Sequence, residues 1–219
     1  MTVHVKICCI SSVEELRLAV RYGASAVGLV SHMPSGPGVI PDDRIAEIAA
    51  AVPPGVASFL LTSSQSVSEI IDQQRRLRTN TIQLCDALTD GTHQDLKAAL
   101  PGISLVQVIH VVGPESIAEA QAIAPHVHSI LLDSGNPSLS TKELGGTGRR
   151  HDWAISRRIV EAVPIPVFLA GGLRADNAAD AIRTVNPFAL DVCSGVRTHG
   201  SLDEAKLSAF FQAIRSISG

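Results

Sequence analysis

The stretch PVFLAGGLRADNAADAIRTVNPFALDVCSGV, residues 166–196, contains one complete unit of the pattern that decides the fold. An apolar run, Pro166–Ala170, ends at a pair of glycines, a helical pattern covers Ala175–Arg183, and a second apolar run covers Phe188–Cys193. Apolar residues at successive positions, rather than alternating ones, are typical of parallel strands buried on both faces. We therefore interpret this stretch as strand, helix and parallel strand.

The same unit recurs along the chain. Eight apolar runs predict strands, at Val3–Cys8, Ala26–Val30, Val56–Leu61, Thr81–Cys85, Ser104–Ile109, Ser129–Asp133, Pro166–Ala170 and Phe188–Cys193. Eight helical patterns follow them in turn, at Ser12–Arg21, Pro41–Ala51, Val67–Leu77, Gln94–Leu100, Pro114–Ile123, Trp153–Ala162, Ala175–Arg183 and Leu202–Ile214. This alternation predicts an α/β fold, a single (β/α)8 TIM barrel domain over residues 1–219. An open doubly wound sheet is the alternative, but no G-x-G-x-x-G motif follows the first strand.

The composition fits an aliphatic core and excludes several classes of protein. Hydrophobic residues fill 45% of the 219 positions and aromatic residues only 3%, so Val, Ile, Leu and Ala must build the core. The formal net charge is −3 with both signs scattered, which predicts no nucleic-acid partner. The opening MTVHVKICCI shows no leader pattern, and no segment has the length of a membrane span. We expect a cytoplasmic monomer or homodimer without a membrane partner, whose four cysteines are thiols.

Polar residues at the ends of strands indicate an acid–base site. In a parallel barrel they face the mouth formed by the carboxyl ends of the strands, where active sites of this fold lie. Cys8 ends the first predicted strand and Asp133 the sixth, and a thiol facing a carboxyl group can act as general base and general acid. Lys6 and Gln83 lie two residues before strand ends and are candidate substrate-binding residues. Taken singly, a cysteine is more often a small buried apolar residue, and an aspartate after a strand is often a turn cap.

The cysteines also raise the alternative of a metal site. Cys8, Cys85, Cys193 and a loop histidine such as His32 could in principle provide zinc ligands. Their spacing matches no C-x-x-C pattern, and small residues are common at strand ends. We predict no metal site.

Two connections are long for a compact barrel: loop two, residues 31–40, and loop six, residues 134–151. Both follow predicted strands, so both are expected at the mouth. Long loops in a compact domain are more often functional than decorative.

Glycine-rich loops predict a phosphate site. Glycines allow backbone N–H groups to approach an anion, and the N-terminus of a following helix adds positive potential. The loops after strands seven and eight form the recurrent phosphate site of this fold, although glycines also simply make tight turns. The predicted phosphate-binding residues are Gly146, Gly148, Gly171, Gly172, Ser194 and Gly195.

Short motifs spread along the chain resemble those of the phosphoribosylanthranilate isomerase family. They are KICC (6–9), LLDS (131–134), GGTG (145–148), HDW (151–153), LAGGL (169–173) and LDVCSGV (190–196). The first resembles the family's K-I-C-G, the second the strand that carries its acid, the next two its sixth loop and helix, and the last two its phosphate loops. The combination, rather than any one motif, is specific.

The resemblance implies an isomerase of tryptophan biosynthesis that performs an Amadori rearrangement without a cofactor. Asp133 would protonate the furanose ring oxygen and open the ring to an imine. Cys8, as thiolate, would remove the C2′ proton to give an enolamine, which tautomerises to the ketone. A free thiol has a pKa of about 8.5, so the thiolate needs local stabilisation, and Lys6 is one possible source.

The chain departs from the family pattern at the anthranilate end. The family has S-P-R after strand two, whose arginine binds the anthranilate carboxylate, whereas Met33–Pro37 reads MPSGP. The family's Q-L-H-G after strand four is QLCD at Gln83–Asp86, and the glycine after the catalytic cysteine is Cys9. His32 is the residue of loop two that can become cationic, and we take it as the candidate substrate-binding replacement for the arginine.

Other interpretations stay open at this point. Arg149 or Arg150 of loop six is the alternative source of the missing positive charge. A related isomerase acting on a different phosphorylated amino-sugar would use the same proton transfers. A barrel that binds a sugar phosphate without turnover belongs to another class, and the presence of both Cys8 and Asp133 argues against it.

Overall fold

Eight strands form the centre of the molecule in a computed structural model that describes residues 3–135, 139, 141–145 and 148–217. The strands are β1 (His4–Ile7), β2 (Ala26–Val30), β3 (Ala57–Thr62), β4 (Thr81–Leu84), β5 (Ser104–His110), β6 (Ser129–Asp133), β7 (Val167–Leu169) and β8 (Ala189–Val192). The helices are α1 (Val13–Tyr22), α2 (Asp42–Ala51), α3 (Val67–Leu77), α4 (His93–Ala99), α5 (Glu115–Ile123), α6 (Trp153–Ala162), α7 (Ala178–Val185) and α8 (Glu204–Arg215). A hairpin of two short strands, β9 (Arg197–Thr198) and β10 (Ser201–Leu202), lies between β8 and α8.

The strands close into a parallel barrel. Each pairs with the next along the chain, and β8 pairs with β1, which places Asp191 opposite Lys6. Every connection is a crossover, as parallel neighbours require. The predicted (β/α)8 barrel is confirmed.

The apolar runs are continuous because both faces of each strand are buried. On β2, Val27 and Leu29 pack against the helices, whereas Ala26 and Val30 face the interior of the barrel. The interior is filled mainly by aliphatic side chains, with one aromatic pair, Phe59 and Phe168, whose ring centroids are 5.6 Å apart. The period of two along each strand thus separates an outer core layer from an inner one.

At the start of α1, Ser12 and Glu15 form one half of a capping box. Ser12 Oγ accepts the Glu15 backbone N–H at 3.2 Å, as an N-cap serine does. The Glu15 carboxylate accepts the N–H of Ser11 rather than that of Ser12. It is turned toward the hairpin after β8, where it pairs with Arg197.

Two details of the sequence interpretation are corrected near the carboxyl end of the chain. The helix predicted from Ala175 begins at Ala178, because Asn177 Oδ1 accepts the Arg174 N–H and holds the preceding residues in a turn. The helix predicted from Leu202 begins at Glu204, after the hairpin, and Asp203 is its N-cap. Strands of two residues carry no periodicity, so the hairpin could not be read from the pattern.

Candidate active site

A pocket opens at the mouth of the barrel. It encloses about 690 Å3 of space between atoms, part of which is open to solvent. Its floor comes from the strands and the residues that directly follow them: Cys8, Gln83, Cys85, Asp133 and Asp191. Its walls are loop two, loop six and the glycine loops after β7 and β8. The two residues proposed as acid and base therefore lie in one cavity.

Cys8 directly follows β1 and is buried in the floor of the pocket. Gly28 of β2 leaves space for it, since a Cβ there would come 2.9 Å from Cys8 Sγ. A hydrogen bond from the Cys9 thiol lowers the pKa of Cys8 and the Lys6 ammonium lowers it further, while burial and Asp191 act in the opposite direction. The net pKa lies below that of an ordinary thiol, which favours the thiolate form that a base requires.

Lys6 provides a fixed positive charge beneath this floor. Its Nζ is fully buried and lies 2.9 Å from Asp191 Oδ2. Burial alone would lower the pKa of Lys6, but the charge of Asp191, followed by that of Cys8, raises it above its ordinary value. Lys6 does not line the pocket, so the substrate contact predicted from its strand position is not supported. It acts on Cys8 through its charge.

Asp133 ends β6 and is buried in the floor. Burial raises the pKa of Asp133, while the Ser134 N–H, 2.7 Å from Oδ1, and the nearby His110 reduce this rise without cancelling it. Its other oxygen faces loop six, where a side chain at Gly145 would collide with Oδ2. A buried carboxyl group with a raised pKa is suited to hold and donate a proton.

Gln83 and Cys85 complete the floor on the side of β4. The Gln83 amide Nε2 lies 3.7 Å from Cys85 Sγ, and its Oε1 has no hydrogen-bond partner among the described residues. Burial raises the pKa of Cys85 to about 12, so this thiol stays protonated. Gln83 therefore offers the pocket a neutral polar contact, as its strand position predicts.

The glycine loops meet at one side of the mouth. Gly171 and Gly172 both adopt left-handed backbone conformations, with φ of 85° and 64°. A Cβ on Gly172 would come 2.9 Å from the Gly148 carbonyl of loop six, and one on Gly195 would collide with the Leu173 carbonyl. Loops six, seven and eight can pack this closely only because these residues are glycines.

The loop after β8 leads directly into a helical turn with its N-terminal N–H groups, whereas the loop after β7 does not lead directly into α7. A short 3-10 turn, Ser194–Val196, begins directly after β8, so its N–H groups lie at the pocket wall. α7 begins only at Ala178 and does not open at the glycines of loop seven, contrary to the sequence interpretation. Gly148 is exposed at this end of the mouth, and the proposed ligand Gly146 lies outside the described residues.

The opposite side of the mouth, toward loop two, is mainly apolar. Val30, Met33, Leu61 and Leu144 line it together with Ser35. His32 does not line the pocket: its side chain is exposed, and its carbonyl accepts the Ser63 hydroxyl at 2.8 Å on the side of β3. The structure therefore does not support His32 as the replacement for the arginine.

The two arginines of loop six also lie elsewhere. The Arg149 backbone carbonyl packs on Gly171 and Gly172, at the glycine-loop side of the mouth, and its side chain pairs with Glu143. The Arg150 guanidinium lies over the Trp153 ring, 4.5 Å from its centroid. Neither contacts the apolar side of the pocket in the described parts of the chain.

Two residues of the site were missed by the sequence reasoning. Asp191 lies on β8, two positions before Cys193, and lines the pocket. The alternation that singled out Lys6 and Gln83 would have found it, since a carboxylate inside an apolar strand is unusual. Cys9 also lines the pocket, but nothing in the strand pattern distinguishes it from a buried apolar residue.

No group of three or more His, Cys, Asp or Glu side chains in the described parts of the chain is arranged to hold a metal ion. Within the same residues, no helix has both the length and the apolar character needed to span a membrane.

A closed parallel barrel with a buried thiol, a buried carboxyl group and glycine loops at its mouth has the architecture of an enzyme of the (β/α)8 class. Residues 5–213 match the family described as N-(5′-phosphoribosyl)anthranilate (PRA) isomerase, and the chain belongs to this family. The N-(5′-phosphoribosyl)anthranilate isomerase of Haloferax volcanii is 36% identical over 218 residues, which cover 99% of this chain and 95% of the relative.

Solved structures agree with this assignment. The phosphoribosyl anthranilate isomerase of Thermotoga maritima superimposes with a TM-score of 0.81 and 26% identity, covering 98% of this chain and 99% of the other. A phosphoribosyl anthranilate isomerase in complex with reduced 1-(o-carboxyphenylamino)-1-deoxyribulose 5-phosphate superimposes with a TM-score of 0.78 and 25% identity, with the same coverage of both chains.

Proposed function

We propose that this chain catalyses the isomerisation of N-(5′-phosphoribosyl)anthranilate, with Cys8 as general base and Asp133 as general acid. The observation that carries the proposal is that the pKa values of two groups in one pocket are shifted in opposite directions. The pKa of Cys8 is lowered, first by the Cys9 hydrogen bond, and that of Asp133 is raised, first by burial. Both shifts favour the protonation states that the reaction needs near neutral pH.

The proton transfers follow from these roles. Asp133 donates its proton to the ring oxygen of the substrate, the bond from C1′ to that oxygen breaks, and the nitrogen lone pair forms the iminium. The Cys8 thiolate then takes the C2′ proton, and the electrons of that C–H bond give the neutral enolamine. Tautomerisation to the ketone moves a proton from the C2′ hydroxyl to C1′. One proton thus passes from Asp133 to Cys8 in each turnover, and exchange with solvent restores both groups.

The glycine-loop side of the mouth is the proposed phosphate end. Gly148 of loop six, Gly171, Gly172 and Ser194 line it, and Gly195, which does not line the pocket, follows Ser194 in the same 3-10 turn. Close approach of the backbone and the N-terminus of the turn that begins at Ser194 favour an anion. The apolar side of the pocket is then left for the aromatic ring, and Gln83 and Asp191 face the sugar between the two ends.

The test is a turnover assay with purified protein and phosphoribosylanthranilate, followed through the loss of substrate fluorescence. Turnover that inorganic phosphate inhibits competitively supports both the reaction and the phosphate end. No turnover of this substrate, together with turnover of another phosphorylated amino-sugar, would replace the proposal with that substrate. Binding of sugar phosphates without any turnover would make the chain a binding protein and would refute the proposal.

A further inference from the structure

Arg197 directly follows the 3-10 turn Ser194–Val196, and its side chain reaches the end of β1. The side chain is buried, with 6% of its surface exposed, and it does not line the pocket. Its Nη2 donates to the Cys8 carbonyl at 3.3 Å and to the Cys9 carbonyl at 2.5 Å. A buried cation is therefore hydrogen-bonded to the backbone of the proposed base itself.

The chain turns at Cys9 in a way that allows one nitrogen to reach both carbonyls. Successive carbonyls of an extended strand point to opposite sides. Cys9 departs from this conformation, because its φ is 63°, in the left-handed region that residues with a Cβ rarely adopt. A strained residue persists only where its surroundings hold it, and Arg197 binds the peptide groups on both sides of Cys9.

The guanidinium of Arg197 is itself fixed. The Glu15 carboxylate binds it through both oxygens, with Nη1 2.9 Å from Oε1 and Nη2 3.0 Å from Oε2. Nη1 also donates to the Gly200 carbonyl of the hairpin at 2.8 Å. Glu15 in turn accepts the backbone N–H groups of Ser11 and Leu202, at 3.0 and 2.8 Å. Because a bidentate contact has a defined geometry, the guanidinium has little freedom to move.

One segment of the chain holds Cys8 from both sides of its backbone. The Cys8 N–H donates to the Val192 carbonyl of β8 at 2.9 Å, and the Cys8 carbonyl accepts from Arg197. Ser194 lies between these two residues and lines the pocket at the proposed phosphate end. These contacts therefore set the position of Cys8 relative to the place where the phosphate would bind.

We propose that Arg197 is a positioning residue that fixes the Cys8 thiolate relative to the phosphate end, so that it meets C2′ of a substrate anchored there. The inference rests on the proposed role of Cys8 as base. Proton removal needs close contact between the reacting atoms, and a displacement of about 1 Å can lower the rate roughly 100-fold. Since Arg197 does not line the pocket, its replacement acts through Cys8 and not through a lost contact with the substrate.

The experiment makes three measurements on the wild-type protein and on Arg197→Lys. The first is kcat and KM for phosphoribosylanthranilate, and the second is the kinetic isotope effect on kcat with substrate deuterated at C2′. The third is hydrogen exchange, followed by mass spectrometry, in the peptide that covers Cys8–Ser11. The isotope effect reports on the proton transfer itself, which a loss of folded protein would leave unchanged.

The variants separate positioning from stability. Lysine keeps a positive charge beside Glu15 but lacks the planar fork that binds the carboxylate and the carbonyls together. Glu15→Gln/Arg197→Gln removes both charges at once, so it keeps the test valid if Arg197→Lys does not fold. Arg157→Lys, in an exposed ion pair on α6, is the matched control. Ile70→Val is the control for stability, because it removes a methyl group from the outer core layer of α3, away from the mouth.

Arg197→Lys should lower kcat roughly 100-fold, with KM within about twofold of the wild type because the residues that line the phosphate end stay in place. The variant should show a primary isotope effect on kcat, since removal of the C2′ proton becomes the slow step. Hydrogen exchange in Cys8–Ser11 should be about tenfold faster than in the wild type. Both control variants should keep the wild-type values of kcat and of exchange in this peptide.

A kcat close to that of the wild type, or a lower kcat without a primary isotope effect, would overturn the role of Arg197. Unchanged exchange in Cys8–Ser11 would overturn it as well, because Arg197 would then not hold this peptide. Hydrogen exchange needs no turnover. A wild-type protein that fails to act on phosphoribosylanthranilate would therefore refute the proposed function, while exchange decides separately whether Arg197 fixes the backbone of Cys8.

Discussion

At the scale of single residues, the site depends on two buried groups, Cys8 and Asp133, whose pKa values are shifted in opposite directions. Burial raises the pKa of a carboxyl group, and at Asp133 the Ser134 N–H and the charges of His110 and Lys6 offset this rise only in part. Burial would raise the pKa of a thiol as well, but Cys9 and Lys6 outweigh it at Cys8. At Cys85, in the same floor, burial and the charge of Cys8 outweigh the lowering effects of Lys6 and the Gln83 amide, and the pKa rises to about 12. Local contacts, rather than burial, therefore account for the difference between the pKa values of Cys8 and Cys85.

Removal of either group should abolish most of the turnover while leaving the barrel folded. Cys8→Ser replaces a thiolate with a hydroxyl that hardly ionises, and Asp133→Asn keeps the shape of the carboxyl group but has no acidic proton. Each should lower kcat by roughly 10²–10⁴, measured in the fluorescence assay. Circular dichroism melting curves close to that of the wild type would show that folding is intact. A variant that retains more than about a tenth of the activity would contradict the role assigned to its residue.

The residue scale also shows what sequence reasoning could reach. Cys8, Gln83 and Asp133 were placed correctly in the pocket floor because side chains alternate along a buried strand. Asp191 was within reach of the same rule. The direction of the His32 side chain could not be predicted by this rule, because a position in a loop fixes neither the path of the backbone nor the direction of the side chain. The role of Lys6 depends on its partner Asp191, 185 positions away along the chain.

At the scale of elements, the eight βα units could be predicted because buried strands and amphipathic helices have distinct periods. Their ends shifted by one to three residues where side chains cap or turn the backbone, as Asn177 does before α7. The contacts between loops could not be predicted. Ser35, which takes the place of the arginine in S-P-R, donates its hydroxyl to the Lys142 carbonyl at 2.7 Å and so joins loop two to loop six.

This contact joins the backbone of Lys142 to Ser35, which lines the apolar side of the pocket, although Lys142 itself does not line it. Lys142 is therefore a candidate cation for the anthranilate carboxylate. The Lys142 ammonium pairs with Asp86, beside the end of β4, and the lysine side chain is 39% exposed. A substrate carboxylate would compete with Asp86 for it. Lys142→Ala should therefore raise KM for phosphoribosylanthranilate roughly tenfold with little change in kcat. Lys97→Ala, on α4, is the control. Equal KM values for wild type and Lys142→Ala would show that the carboxylate is bound by another group.

At the scale of the whole molecule, the barrel closes because β8, near the end of the chain, pairs with β1, near its start. Pairing between consecutive strands does not by itself ensure this closure. The seam between β1 and β8 is held by hydrogen bonds and by the buried pair of Lys6 and Asp191. Just beyond the strands, a second buried pair joins the same ends of the chain. Glu15 at the start of α1 binds Arg197 through both carboxylate oxygens, at 2.9 and 3.0 Å. Arg197 in turn binds the carbonyls that follow β1.

The Glu15–Arg197 pair should stabilise the closed barrel in a way that depends on pH. Both side chains are largely buried, with 14% and 6% of their surfaces exposed, so breaking the pair by Glu15→Gln should cost about 3 kcal/mol at pH 7, measured by urea unfolding.

Burial alone would raise the pKa of Glu15, but Arg197 and two backbone N–H groups lower it below its ordinary value. A carboxylate with a lowered pKa in the folded state contributes stability above its unfolded pKa of about 4.3, and the contribution is lost as pH falls through the folded pKa. The difference between wild type and Glu15→Gln should therefore shrink steadily below about pH 4. Glu161→Gln, which breaks an exposed pair with Arg157, should change stability by less than about 0.5 kcal/mol at pH 7. A Glu15→Gln effect as small as that of this control, or one that grows as the pH falls, would show that the pair does not hold the ends of the barrel together.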